Sequence, residues 1–274
     1  MTQGKIGFIG GGHMTSNFLA GLVANSEFSS EGIVVFDRNA DKLQNLSDKF
    51  NVGTAANNLE LVHQCDIVVL SVKPQGMLET LQPLVESLNE NKPLIISLAA
   101  GITIETFESW LGEYPRLIRA MPNMPSSVGF GASGLYARVT PSEIDKQVAE
   151  KMMSSIGIYT WVNSDLDIDS ITGLSGSSPA YFMLFAKHLA EAAENAGLDP
   201  FESRKFATQT MMGSAELIAQ NNYSIDDLIT GIQTKGGTTE QAVLSFSRDG
   251  LAEVVDTAFR AAKDRATELS KTED

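Results

Sequence analysis

Two glycine clusters with threonines beside them are the stretches of this 274-residue sequence best suited to hold a reactive small molecule. The first, at residues 10–12, follows the apolar run at 5–9 and precedes a helix-compatible stretch at 15–23. A strand that turns through glycines into a helix points free backbone N–H groups and the positive end of the helix dipole at one spot. This arrangement predicts a bound dinucleotide pyrophosphate. Thr15 stands where the usual pattern has a third glycine or alanine, so an ordinary tight turn is the alternative.

The second cluster lies between two predicted helices far downstream. Its residues are Thr234, Lys235, Gly236, Gly237, Thr238 and Thr239. Glycines let backbone N–H groups close on a small ligand, and threonine hydroxyls both donate and accept hydrogen bonds. The pattern predicts a nest for a substrate carboxylate at the start of the following helix, with a turn capped by threonines as the alternative.

Other kinds of catalytic site find little support. The three histidines are His13, His63 and His188, and none is spaced with carboxylates or cysteine as metal ligands would be. Residues 174–179 are rich in hydroxyls, but no Gly-x-Ser-x-Gly occurs and no histidine is provided, which disfavours a nucleophilic hydrolase. We instead expect Ser177 and Ser178 to cap a helix that has Pro179 at its first position.

Alternating apolar and helix-compatible segments must position these residues. Strands are predicted at residues 5–9, 32–36, 66–72, 93–98 and 116–121. Helices are predicted between the strands, including a single helix at 75–88. The alternation indicates parallel βαβ units with helices on both faces, and ligands of such sheets bind beyond the carboxyl ends of the strands. Those ends fall at residues 10–12, 37–39, 73–74, 99–101 and 121–123, which favours nucleotide binding.

The end of the second strand bears on the choice of nucleotide. Asp37 follows the glycines at about the spacing at which an acidic side chain bonds a ribose 2′-OH in NAD sites. Arg38 next to it could hold the 2′-phosphate of NADP instead. Asp37 therefore favours NAD and Arg38 favours NADP. The alternative is a polar turn that caps its own helix and binds no nucleotide.

The second half of the chain is different in character. Further strands or loops are predicted at 128–136 and 159–162, with a helix at 142–156. Helices then follow without a clear strand, at 179–196, 200–221, 224–233, 239–247 and 251–270. We therefore predict a nucleotide-binding domain at 1–163 and a helical domain at 164–274. The segment 180–186 is apolar on every side, so it must be enclosed, and we expect a second subunit to help enclose it. A central helix in a monomeric bundle is the alternative.

Composition indicates a soluble globular protein, with 43% hydrophobic and 20% charged residues. The net charge of −14 argues against nucleic acid or an anionic membrane as the main partner. The single cysteine, Cys65, fits a reducing compartment and is expected to be a buried structural thiol. Without a signal-peptide pattern or an apolar run of about 18 residues, a cytoplasmic location is expected.

With these pieces placed, essentially the whole sequence closely resembles the pyrroline-5-carboxylate reductase family. The motifs that carry the resemblance lie at residues 6–10 with the glycine turn, 72–75, 96–101, 119–125, 173–181 and 235–239. The chain departs from the family's usual pattern at three positions. His13 stands for asparagine, Met124 for threonine, and Lys235 for a frequent proline.

The resemblance implies an α/β fold, with an N-terminal Rossmann-like doubly wound parallel sheet followed by an all-helical dimerisation domain that interlocks with a second subunit. Such dimers commonly assemble into decamers. The implied cofactor is NADPH, with NADH as the other possibility. The residues expected to contact it are Gly10, Gly11, Gly12, His13, Met14, Asp37, Arg38, Asn58, Ser71, Val72, Lys73, Pro74, Ala100, Pro122 and Asn123.

The resemblance also implies the reaction, which is hydride transfer from the nicotinamide ring to the imine carbon of 1-pyrroline-5-carboxylate in the last step of proline biosynthesis. The substrate carboxylate would be held by backbone N–H groups of a loop comprising Thr234, Gly236, Gly237, Thr238 and Thr239. The hydroxyl of Thr239, the one residue expected to be catalytic, would bond the ring nitrogen. No acid–base dyad is evident, which suits a step whose difficult chemistry belongs to the cofactor.

Two alternatives stay open. A β-hydroxyacid dehydrogenase has a lysine seven residues after the first glycine of a Gly-x-x-Gly helix start, but here Met183 occupies that position after Gly176, and Pro179 replaces the second glycine. A nucleotide-sensing protein without turnover would also lack a general acid.

Overall fold

A computed structural model describes residues 4–24 and 28–271, and an eight-stranded sheet organises the first part of this region. Every strand predicted from the sequence is present within a few residues of its expected bounds, and a short third strand was not predicted. The strands are β1 (Ile6–Ile9), β2 (Ile33–Phe36), β3 (Gly53–Thr54), β4 (Ile67–Leu70), β5 (Leu94–Ser97), β6 (Leu117–Met121), β7 (Gly131–Tyr136) and β8 (Gly157–Trp161).

The strand order is β3-β2-β1-β4-β5-β6-β7-β8. All pairs from β3 to β6 are parallel, β7 is antiparallel to β6, and β8 is parallel to β7. The order runs outward in both directions from β1 and β4, so the switch point at which such sheets bind ligands lies between these two strands. This confirms the predicted doubly wound α/β fold.

Helices cover both faces of the sheet, and the central strands are therefore apolar on both sides. Successive residues of β1 point to opposite faces of the sheet, so Phe8 and Ile9 belong to separate hydrophobic cores. The helices of this part are α1 (His13–Ala24), α2 (Ala40–Phe50), α3 (Asn58–Gln64), α4 (Met77–Leu81), α5 (Val85–Asn91), α6 (Ile104–Leu111), α7 (Glu143–Ser154) and α8 (Asp165–Ile171).

Two stretches differ from the sequence prediction. The single helix expected at residues 75–88 is divided into α4 and α5, with a 3₁₀ turn between them that contains Pro83. The helices α6 and α8 were not predicted. Cys65 is buried as expected, and burial raises its pKa to about 12, with Lys5 offsetting only part of the shift, so the thiol is inert.

The remaining helices agree with their predicted bounds to within two residues. They are α9 (Ser178–Asn195), α10 (Pro200–Gln220), α11 (Ile225–Ile232), α12 (Thr238–Arg248) and α13 (Leu251–Lys271). The cap expected at Ser177 is wrong, because Ser177 has helical backbone angles, with φ −94° and ψ −28°. Residues from α8 to α9 follow one another in helical conformation, and Thr172–Gly176 form a π-helical turn in which the Ser177 N–H donates to the Thr172 carbonyl at 2.8 Å.

The described chain forms two compact units. The first extends to Ser177 and takes in the chain from Ala261 onward, and the second is Ser178–Arg260. The second unit has almost no core of its own, because Ala190, Ser203 and Ala207 are its buried residues. Large apolar side chains of α9 are exposed instead, including Phe182 at 62% and Met183 at 57%. The all-round apolar helix is thus not enclosed by its own chain.

A buried ionic network holds α8 and the end of α13 within the first unit. Arg119 on β6 is 1% exposed, and its guanidinium lies 2.6 Å from a carboxylate oxygen of Asp165 and 3.3 Å from one of Asp169. The Thr267 hydroxyl donates to Asp169 at 2.9 Å. These contacts explain why the compact unit continues past residue 163. The functional division of the chain at residues 163 and 164 stays a prediction.

A second ion pair secures α7 against the sheet. Arg116 donates two hydrogen bonds to the Asp145 carboxylate, at 2.6 and 3.1 Å. Burial works to raise the pKa of Asp145, but the bonds from Arg116 and Ser142 outweigh burial and hold the pKa below its ordinary value.

Among residues 4–24 and 28–271, no helix is both long and apolar enough to cross a bilayer.

Candidate active site

The first glycine cluster forms the turn between β1 and α1, beside the switch point of the sheet. The Gly10 N–H donates to the Phe36 carbonyl at 2.9 Å, and Gly10 has a φ of +102°, which favours glycine. A Cβ on Gly10 would lie 2.8 Å from the Ser71 carbonyl oxygen, whereas a Cβ on Gly12 would meet open space. The turn is therefore packed against β4 on one side and open at Gly12, where α1 begins.

Thr15 has a specific part in this turn. Its side chain is fully buried, and its hydroxyl donates to the Gly10 carbonyl at 2.5 Å. The residue that weakened the sequence motif therefore fixes the same turn by a side-chain hydrogen bond. The N–H groups of the first turn of α1, which includes His13 and Met14, have no carbonyl acceptor within the helix and can bind an anion. His13 is exposed and Met14 is half-buried.

Two buried polar atoms near this edge have no hydrogen-bond partner in the described part of the chain. They are the Asn58 side-chain carbonyl oxygen, at the start of α3, and the Ser71 hydroxyl, directly after β4. Buried polar atoms are nearly always paired, so an unpaired set suggests a ligand that supplies the partners. Both residues were predicted to contact a cofactor, and this observation fits a dinucleotide bound across the switch point.

Asp37 and Arg38 follow β2 at the same edge. Asp37 accepts hydrogen bonds from the backbone N–H groups of Gly11 at 2.6 Å and Asn39 at 2.8 Å. The Arg38 side chain is 83% exposed and lies 3.8 Å from the exposed carboxylate of Glu79. Asn39 accepts from the Lys42 N–H and caps α2, so the turn contains a side-chain cap as well as two charged groups.

The other predicted cofactor residues also lie after the parallel strands. Val72, Lys73 and Pro74 follow β4 and lead into a 3₁₀ turn, with Lys73 exposed. Ala100 follows β5 and is half-buried, whereas Pro122 is buried. These positions agree with the predicted edge of the sheet, and their contacts with a cofactor stay predictions.

The side-chain amide of Asn123, which follows β6, already makes two hydrogen bonds within the protein. Its amide nitrogen donates to the Ser175 carbonyl at 3.0 Å, and its oxygen accepts from the Ala132 N–H at 3.0 Å. Asn123 thus joins β7 to the π-helical turn, and it keeps one amide hydrogen for a ligand. Ser175 reinforces the same junction by donating to the Ala132 carbonyl at 3.2 Å. This role could not be predicted from the sequence, because no local pattern reveals partners so far apart along the chain.

The second glycine cluster connects α11 and α12 in the second unit. Gly236 has a φ of +75°, and a Cβ on Gly237 would collide with the Thr234 hydroxyl, so both positions require glycine. The Gly236 N–H donates to the Glu240 carboxylate at 2.7 Å, and the Gly237 N–H donates to the Thr234 carbonyl at 2.8 Å. Two of the predicted carboxylate donors are therefore already engaged within the loop.

The backbone N–H groups of this loop that remain free directly follow Gly237, at the start of α12. The N–H groups of Thr238 and Thr239 belong to the first helical turn and lack acceptors within the helix. The Thr239 hydroxyl makes no hydrogen bond to another residue in the part of the chain that the structure describes. The role of Glu240 was not predicted, although its position three residues after the cap Gly237 is that of a capping-box acid.

No three His, Cys, Asp or Glu side chains lie together as metal ligands would, within the described residues. The arrangement can hold an anionic dinucleotide at the glycine turn of the first unit and a small carboxylate at the start of α12 in the second.

Comparison with known proteins follows the same division. Residues 165–269 match the family model for pyrroline-5-carboxylate reductase dimerisation. Residues 5–101 match the model described as NADP oxidoreductase coenzyme F420-dependent.

Relatives cover the full length of the chain. A pyrroline-5-carboxylate reductase from Pseudomonas aeruginosa is 35% identical over 99% of this chain and 98% of its own. A solved pyrroline-5-carboxylate reductase from Coxiella burnetii is 40% identical, with a TM-score of 0.92 over 98% of this chain and 99% of its own. The Plasmodium falciparum pyrroline carboxylate reductase, solved with NADP bound, is 26% identical, with a TM-score of 0.87 over 98% of this chain and 99% of its own.

Proposed function

The chain belongs to the pyrroline-5-carboxylate reductase family, and we propose that its two glycine-rich turns hold the two reactants of that family's reaction. The protein is an NADP-dependent oxidoreductase that reduces 1-pyrroline-5-carboxylate to L-proline, the last step of proline biosynthesis. The observation that carries this function is the full-length likeness to reductases of this name at 35 and 40% identity.

The cofactor is held by the first unit. NADPH supplies a hydride for the imine carbon when it is bound. The open side of the turn at Gly12 and the first N–H groups of α1 receive the pyrophosphate. The side-chain carbonyl oxygen of Asn58 accepts a hydrogen bond from the same molecule, and the Ser71 hydroxyl donates or accepts one. These assignments rest on the cradle at the sheet edge and on the two orphaned atoms.

The substrate carboxylate is held by the second unit. The N–H groups of Thr238 and Thr239 face no helical acceptor, and the positive end of the α12 dipole favours an anion there. Gly236 and Gly237 shape the loop and already donate elsewhere. We therefore assign the carboxylate to the two threonine N–H groups, with Thr234 and the glycines as the frame of the site.

The Thr239 hydroxyl then accepts a hydrogen bond from the protonated ring nitrogen. Protonation makes the adjacent carbon electrophilic, and an acceptor on that nitrogen holds the ring with its reactive carbon in one orientation. The reaction needs the two rings in contact and water excluded, and little else from side chains.

The direct test is oxidation of NADPH with pyrroline-5-carboxylate as substrate. We expect NADPH absorbance to fall in proportion to enzyme and substrate, with proline as product. A β-hydroxyacid substrate with NADP⁺ should give no signal, because Met183 replaces the lysine that such enzymes need. If high enzyme concentrations leave NADPH unchanged, the reductase function is wrong and a nucleotide-sensing role becomes the better account.

The protein forms homo-oligomers through its dimerisation domain. In support, the helix α9 exposes Phe182, Met183, Leu184 and Phe185, each close to half exposed or more, in the single chain. We propose in addition that residues 164–274 act as the dimerisation and substrate domain and residues 1–163 as the cofactor domain. We also propose that the protein works in the cytoplasm, as the single cysteine suggests.

Assembly beyond the dimer is a separate prediction. We expect a decamer, with about ten times the chain mass of 29.5 kDa in native mass spectrometry. Substituting Phe185 with Glu puts charges into the apolar surface of α9 and should leave monomers, since a charge buried without a partner is costly. The exposed Lys187→Glu variant is the matched control and should assemble normally. A dominant dimer in the wild type would contradict the decamer, and a Phe185→Glu decamer would contradict the role of α9.

A further inference from the structure

Asp37 stands where an acidic residue binds the cofactor ribose in many dinucleotide sites. Both oxygens of its carboxylate are already engaged by backbone donors. One oxygen accepts from the Gly11 N–H at 2.6 Å and the other from the Asn39 N–H at 2.8 Å. Hydrogen bonds to an ionised acceptor are short and strong, so this half-buried carboxylate links the glycine turn to the start of α2.

The link restrains the part of the turn that precedes the open position. The Gly10 N–H is bound by the Phe36 carbonyl at 2.9 Å, and the next N–H, that of Gly11, is bound by Asp37. A Cβ on Gly11 would lie 3.1 Å from the Asp37 Cβ, so the two residues are in close contact. The end of β2 thereby fixes two consecutive N–H groups of the turn and leaves the later ones for the pyrophosphate.

Arg38 is in the opposite situation. Its guanidinium is 83% exposed, and its ion pair with Glu79 is long, at 3.8 Å, with Glu79 itself 78% exposed. Exposed ion pairs of this kind contribute little, so a phosphate can displace Glu79 readily. Arginine presents several N–H donors in one plane and suits a phosphate group.

We propose that Asp37 is a positioning residue for the pyrophosphate-binding turn and not a ribose ligand, so that selection of NADPH over NADH rests on Arg38. The proposal depends on the proposed cofactor site. It also explains how an aspartate is tolerated beside a 2′-phosphate. Two backbone N–H groups partly balance its charge and hold it against the turn.

The test measures binding and stability in the intact protein, not turnover alone. NADPH and NADH affinities are determined by fluorescence titration for the wild type, Asp37→Ala, Asp37→Asn and Arg38→Ala, together with the melting temperature without cofactor. The control is Asp48→Ala, which removes the same charge from the exposed far end of α2 and leaves the turn untouched.

For Asp37→Ala we expect both affinities to fall by the same factor, about tenfold, with an NADPH-to-NADH ratio within about twofold of the wild type. Its melting temperature without cofactor should fall by a few degrees. Asp37→Asn keeps one acceptor oxygen, so its cofactor affinities and melting temperature should lie between those of the wild type and those of Asp37→Ala. Arg38→Ala should weaken NADPH by about 10- to 100-fold and NADH by less than about twofold. Asp48→Ala should change none of these values.

A loss at least about fivefold larger for NADH than for NADPH in Asp37→Ala would overturn the proposal, because a ribose ligand acts mainly where the 2′-OH is free. Unchanged affinities and melting temperature in Asp37→Ala and Asp37→Asn would overturn it too. A wild type that binds neither cofactor would instead refute the proposed function, and the melting temperatures would still show whether Asp37 holds the turn.

Discussion

Thr239→Ala is expected to lower kcat/KM for pyrroline-5-carboxylate by about 100-fold, while the dissociation constant of NADPH changes by less than about twofold. The hydroxyl of Thr239 has no hydrogen-bond partner among the described residues, and it lies in the first turn of α12 beside the proposed carboxylate donors. Losing it removes an acceptor for the protonated ring nitrogen. The proposed cofactor site belongs to the first unit and Thr239 to the second, so NADPH binding should be nearly independent of this substitution. Steady-state kinetics with a parallel fluorescence titration measures both quantities.

Two companion variants separate the hydroxyl from the shape of the side chain. Thr239→Ser keeps the hydroxyl and should retain most activity, whereas Thr239→Val keeps the β-branched shape and should fall with Thr239→Ala. Both keep the backbone N–H that we assign to the substrate carboxylate. Full turnover in Thr239→Val would remove the hydroxyl from the mechanism, while equal losses in the serine and valine variants would point to packing instead.

Arg119→Met is expected to destabilise the protein by about 3–5 kcal/mol, which corresponds to a fall in melting temperature of about 10 °C. Arg119 is 1% exposed, and its removal leaves the carboxylates of Asp165 and Asp169 without their cation. An unpaired charge in a buried site is expensive, and Asp169 is itself buried. Differential scanning calorimetry without cofactor measures the change.

A matched control lies in the same unit. Arg138 forms a 2.6 Å ion pair with Glu108 at the surface, with 56% of its side chain exposed, and Arg138→Met should cost well under about 1 kcal/mol. Adding Asp169→Asn to Arg119→Met should recover part of the stability, because it removes one of the unpaired charges. Equal melting temperatures for Arg119→Met and Arg138→Met would contradict the network's importance.

Much of the fold could be predicted from local patterns. The strands β1, β4 and β5 are short apolar runs between turn residues, and that pattern depends only on neighbours along the chain. Parallel pairing followed from their alternation with helices, and with it the edge of the sheet at which Gly10 and Ser71 meet. The apolar character of α9 likewise indicates a partner subunit from the sequence alone.

The errors in helix bounds have local causes of a different kind. The break between α4 and α5 contains Pro83, whose effect depends on the neighbouring turn. The cap expected at Ser177 was wrong because helical conformation persists through the π-helical turn, where hydrogen bonds reach one residue further than in an α-helix. Hydroxyl residues before a proline indicate a possible helix cap. Whether a helix begins there depends on tertiary contacts, such as the hydrogen bond from Asn123 to the Ser175 carbonyl in the π-helical turn.

The sequence by itself determined the sheet, its binding edge, the glycines of both turns and, through its resemblance, the reaction. Only the tertiary structure decided what the polar side chains at these places contact. The sequence places Asp37 at the usual position of a ribose ligand, and only the structure shows that its carboxylate accepts from the Gly11 and Asn39 N–H groups. Arg119 read as one residue of a strand, yet its partners lie on α8. The reason is physical, because secondary structure follows from neighbours along the chain, whereas hydrogen-bond partners are chosen in three dimensions.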